Sequence, residues 1–274
     1  MRLQKWREPH PLDGVHNKLN RAKKHLETLD GYLLKYKALN PNRMIRNLNA
    51  EETFYEYVFS GLYPTFIDLG LVISEYIYHL RSALDQIIFG LAEFSPDLTD
   101  REWEKAKRST SFPIRETEQG GFIDGSLMFI PKAIRADVHA AIHAVQPYST
   151  SERPDRQLLA VLERLSNGDK HRTPQVTGNV LKIDTADLPP GVEIMAHGDL
   201  KDGDLLARVA AHIDPAVEFE PRVTFEVTLG VPTGRSTLNI LIQDLPQIYH
   251  FVRDEVVPKF EPFFPPIPKP EFED

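Results

Sequence analysis

The feature that most constrains this chain is a change of hydrophobic period. Up to about residue 170 apolar side chains recur every three to four positions, whereas beyond Pro174 they alternate every second position. The first pattern buries one stripe of a helix and the second buries one face of a strand. The expected fold is therefore α+β: a helical bundle over residues 1–173, with a short strand near 53–59, and over 174–274 a mostly antiparallel sheet, a final helix and a Pro-rich tail packed on the bundle.

Four helices are predicted in the first part. From Asp13 to Leu39 the seam is Val15, Leu19, Ala22, Leu26, Leu29, Leu33 and Tyr36, and Asn40-Pro41-Asn42 stops it. Phe66–Ala92 has the strongest pattern, with Ile73, Ile77, Leu80, Leu84, Ile87, Ile88 and Leu91 on one side, which makes it the centre of the bundle. Its other half carries two polar stripes, one of Asp68, Glu75, His79, Ser82 and Gln86, the other of Ser74, Tyr78, Arg81 and Asp85. Pro131–Val145 and Asp155–Asn167 complete the set, and Ser111-Phe112-Pro113-Ile114 is extended because a residue before proline avoids the helical region.

Strands are expected at Thr53–Phe59, Val176–Ile183, Asp204–His212, Arg222–Leu229 and Thr237–Ile242, with Tyr55, Tyr57 and Phe59 sharing a face. Asp244 is placed to cap a last helix reaching about Val257. The tail 262–270, rich in proline, has Phe263 and Phe264 to bury and is expected to dock on its own chain.

Composition narrows the chemistry. With no cysteine, thiolate nucleophiles, disulfides and Cys-type zinc sites are excluded, which fits a reducing, cytoplasmic setting. No apolar run is long enough to span a bilayer, so no membrane association is expected. The net charge is −8, yet residues 1–46 hold eleven Lys/Arg against four Asp/Glu, so an RNA could be drawn to one end of the molecule. His139 and His143 have the spacing of a helical metal pair without an intervening Glu and read as exposed side chains; no metal and no cofactor is expected.

The densest polar cluster is Asn167, Asp169, Lys170, His171 and Arg172. Asn167-Gly168 reads as a helix C-cap, and Thr173-Pro174 closes the corner on which the four ionisable residues sit. The bland account is that the cations face the negative helix end and Asp169 pairs with one of them.

YHLRSALDQ (78–86), SFPI (111–114), Gln146-Pro147-Tyr148 and LERLSNGDKHR (162–172) together resemble an uncharacterised family of bacterial proteins. More distantly the chain is similar to HEPN-type helical domains, many of which resemble metal-independent ribonucleases with an Arg and a His separated by four to six residues. That resemblance implies His171 as base toward a ribose 2′-hydroxyl and Arg164 as the group that holds phosphorane charge. Here Leu165 follows Arg164, where the pattern has a polar residue. In the alternative assembly Arg81, Asp85 or Tyr78 of the central helix completes a binding pocket with His171 and Arg172. The competing reading is a non-enzymatic scaffold that binds a protein partner or its own copy, with the polar corner structural.

Overall fold

The computed structural model describes residues 10–38, 42–61, 67–93, 99–101, 104, 111–118, 136–169, 176–183, 191–195, 202–212, 223–233 and 236–266. It is an α+β fold. Helix α1 spans Pro11–Ala38, α2 Ile67–Glu93, α3 Ala136–Ala144 and α4 Leu158–Asp169. Helix α5 is continuous over 245–260: it begins as Leu245–His250, widens into π geometry through Phe251–Val256 and ends as Val257–Phe260.

The helical core follows the predicted stripes. Val15, Leu19, Ala22, Leu26 and Leu29 of α1 interlock with Ile73, Ile77, Leu80, Leu84, Ile87, Ile88 and Leu91 of α2, all buried. Gly14 lies against Gln86 and His25 against Glu75, so the two helices run antiparallel. Tyr76, fully buried, donates its hydroxyl to the Leu245 carbonyl at 2.6 Å and ties α2 to the start of α5.

Helix α1 opens two residues before the expected Asp13 because His10 and Pro11 form its start. Asp13 accepts the His10 N–H at 2.8 Å while His10 Nδ1 accepts the Leu12 N–H at 3.1 Å, a reciprocal cap. Helix α4 begins later than Asp155. Pro154–Arg156 is a 3₁₀ turn, Gln157 is extended, and its side chain caps α4 by accepting the Leu159 N–H at 2.6 Å.

Two endings differ from expectation. Asn167 and Gly168 do not cap α4: the helix runs on through Asp169, and Asn167 donates to Glu163 one turn back at 3.1 Å. Pro258 does not end α5 either. A proline ring clashes with the carbonyl four residues before it in a regular helix; the wide turn, in which the Val257 N–H reaches the Val252 carbonyl, precedes it and lets the helix reach Phe260. Asp244 stands before α5 without a capping bond to its backbone, and its carboxylate accepts the Gln247 amide at 3.0 Å.

The strands form two antiparallel sheets. β3 (Val176–Ile183), β6 (Val223–Thr233) and β7 (Ser236–Leu241) make one, in the order β3-β6-β7. It meets the helices through Leu229 of β6 and Ile240 of β7. The other has the order β1-β2-β5-β4, from β1 (Asn42–Leu48), β2 (Phe54–Gly61), β4 (Val192–Ile194) and β5 (Leu205–Ala210). β1 and β4 have no counterpart among the expected strands. Across this sheet Tyr57 sits opposite Ala207, and Tyr57, Ala207 and Val209 form a small core flanked by Tyr55, Val192 and Ile194. The described part of the tail, to residue 266, folds back on the chain: Phe264 is buried against Gly90, and His10 Nε2 donates to the Pro265 carbonyl at 2.8 Å, while 267–270 lie outside the described residues.

Candidate functional site

Side chains from 78–86, 146–148 and 162–169 meet at one irregular segment, residues 111–116, which lies against α2 and α4. Phe112 is fully buried, and its ring meets Phe260 edge-on at 5.7 Å. Phe112 and Pro113 are buried outside any helix or strand, and such a stretch leaves backbone donors and acceptors that no ladder satisfies. Side chains from the surrounding helices take up this task.

Arg81 and Asp85, one turn apart on α2, grip a single residue. Arg81 Nη2 donates to the Phe112 carbonyl and the Phe112 N–H donates to Asp85 Oδ1, each at 2.8 Å. The guanidinium also pairs with Asp85 at 3.4 Å and, through Nε, with Glu163 Oε2 of α4 at 3.2 Å. Gln146, fully buried where α3 gives way to Pro147, continues the pattern. Its amide donates to the Pro113 carbonyl at 2.9 Å and its oxygen accepts the Arg115 N–H at 2.9 Å.

Arg164 closes the same seam from α4. It donates to Glu116 Oε2 at 2.6 Å and to the Asp155 carbonyl at 2.8 Å, with its side chain 19% exposed. Toward the end of α4, Asp169 is held by Ser74, whose hydroxyl donates at 2.5 Å and also contacts the Gly70 carbonyl. Ser74 was legible only as a member of a polar stripe; its partner was not.

Lys170, His171 and Arg172 lie outside the described residues. Arg81, Asp85 and Asp169 line the α2–α4 boundary, Asn167 is exposed and bonded to Glu163 of its own helix, and Arg164 is on the side of α4 that faces Glu116. Tyr78 is directed elsewhere: it is 58% exposed and faces α1, with Lys18 Nζ 4.7 Å from its ring centroid. His139 and His143 are half-buried rather than exposed, and His143 Nδ1 bonds the Tyr148 hydroxyl. Burial raises the Tyr148 pKa above the usual phenol range. No group of three or more His or carboxylate side chains among the described residues is arranged to hold a metal, and no described helix is long and apolar enough to cross a membrane.

Comparisons with protein-family models, with curated proteins and with solved structures returned no match to this chain.

Proposed function

We propose that this chain is a non-enzymatic binding scaffold of the cytoplasm, and that its polar motif residues serve to lock the fold. The observation that carries this reading is the use to which the motif is put. Arg81, through Nη2, Asp85 and Gln146 bond backbone groups of Phe112, Pro113 and Arg115, Arg81 Nη1 is buried without a hydrogen-bond partner, and Arg164 is divided between Glu116 and a carbonyl. An arginine that stabilises a developing phosphorane must present free N–H groups to the reacting phosphate. Both candidate arginines instead have carboxylates in the seam itself, and a partner protein or a second copy of the chain would engage outward surfaces.

Incubation of the purified protein with bulk RNA, in EDTA, tests this against HEPN-like cleavage. The expected result is no cleavage beyond that of a mock preparation. Cleavage that disappears in both His171→Ala and Arg164→Ala, with far-UV circular dichroism unchanged, would overturn the scaffold reading and support a metal-independent ribonuclease.

A further inference from the structure

The polar stripe of α2 that carries Glu75 and His79 meets α1, with Tyr78 beside it, along an exposed seam that the clamp does not use. Lys18, Arg21 and His25 follow one another at helical spacing on α1, opposite Glu75, Tyr78 and His79 of α2. The His25 and His79 rings stack with centroids 5.3 Å apart and planes within 15°, and Tyr78 meets His79 edge-on at 5.3 Å. Lys18 stands over the Tyr78 ring. The only carboxylate in direct contact with this group, among the described residues, is Glu75, 3.3 Å from His25 Nδ1. Neither Lys18 nor Arg21 has a carboxylate within ion-pair distance among the described residues, although the chain as a whole carries −8.

We propose that this seam, formed by Lys18, Arg21, His25, Tyr78 and His79, binds a single-stranded polynucleotide, with phosphates on the two cations and a base against the exposed tyrosine. The alternation of cations and flat rings is the argument. An acidic peptide would need only the charges, whereas a polynucleotide also uses the rings, because every base has a face that stacks. A cluster of cations on a net-acidic molecule makes the attraction local and directs a polyanion to this side of the bundle.

His79 adds a second line of support. Burial, followed by the nearby charges of Lys18, His25 and Arg21, holds its pKa below the ordinary histidine value, against the opposing pull of Glu75. A phosphate seated on Lys18 and Arg21 would offset those positive charges, so binding takes up protons and strengthens as pH falls. The inference concerns binding alone and does not depend on whether the chain cleaves RNA.

Fluorescence anisotropy with labelled 12-nucleotide oligouridylate and oligothymidylate tests it on the full chain. Binding of either oligonucleotide, weakened at least tenfold in Lys18→Gln/Arg21→Gln, is the expected result. Because the double variant neutralises two fewer phosphates, the drop in its affinity between about 50 and 200 mM salt should be roughly sevenfold smaller than for the unsubstituted chain, from a slope of about 0.7 per phosphate on a single strand. Tyr78→Ala should weaken binding severalfold without changing that salt dependence. Arg153→Gln, on a different surface and paired with Asp155, should bind as the unsubstituted chain does. Absence of binding, equal affinity in the double variant, or equally tight binding of polyglutamate of the same length would overturn the proposal.

Discussion

Arg81 and Phe112, 31 positions apart, are joined by a bond in which a charged side chain satisfies a buried carbonyl that has no strand beside it. Asp85 takes the N–H of the same phenylalanine, so two residues of α2 do for Phe112 what a neighbouring strand would do. Removing the arginine strands the carbonyl and leaves Asp85 and Glu163 close to each other without their shared cation. Arg81→Ala should lower unfolding free energy by about 2–4 kcal/mol in urea denaturation. Arg81→Lys should recover only part of it, since an ammonium cannot span Phe112, Asp85 and Glu163 at once.

Arg164 gives a related test with a sharper readout. Its bonds to Glu116 and the Asp155 carbonyl predict that Arg164→Ala and Glu116→Gln each destabilise the protein by about 1–3 kcal/mol. Their effects should not add. A double-mutant cycle is expected to show a coupling of roughly 1 kcal/mol, and a coupling indistinguishable from zero would show that the pair contributes nothing.

His79 predicts a pH dependence of stability. The unfolded chain takes up a proton near the ordinary value of about 6.5, while the folded chain does so only at lower pH because of burial and its cationic neighbours. The unfolded state then binds more protons in that window, so the contribution of His79 is fully present above it. It is lost as pH falls from about 6.5 through the lower folded value. His79→Gln should flatten this part of the stability profile measured by thermal denaturation, whatever the other histidines do.

Phe264 and Gly90 predict how the tail is held. A Cβ added at Gly90 would stand 3.0 Å from the Phe264 ring, tighter than normal packing, so Gly90→Ala should displace the ring and destabilise the protein. Phe264→Ala should cost about 3 kcal/mol by leaving a cavity. In the Phe264→Ala background the Gly90→Ala change should become neutral or favourable, because alanine is the better helix former. Melting temperatures of the four proteins decide this.

The helices were legible because burial imposes a period, and the stripes on α1 and α2 could be read residue by residue. β1 was not, because Asn42–Leu48 puts Met44 and Ile45 side by side and leaves Ile45 and Leu48 exposed, which destroys the alternation that marks a strand. The candidate site was half legible. Arg81 drew notice from its position at the apolar boundary, but its main partner is a carbonyl, and a backbone acceptor has no letter in the sequence. The same holds for Gln146 and for the carbonyl end of Arg164. Gly168 suggested a stop where the helix goes on, since a glycine permits a left-handed cap without requiring one.

The strand order β1-β2-β5-β4 also sets a timetable. β2 finds its second neighbour in β5 some 150 positions later, as Tyr57 pairs with Ala207. During synthesis at roughly 5–20 residues per second, the β1–β2 hairpin must wait about 8 to 30 seconds with one edge unfilled. Such distant pairing is slow even in the complete chain, because the loop must close before the new bonds reward it. Newly made chains therefore have a vulnerable interval in which that edge is open to the wrong partner, and it ends only when β5 arrives.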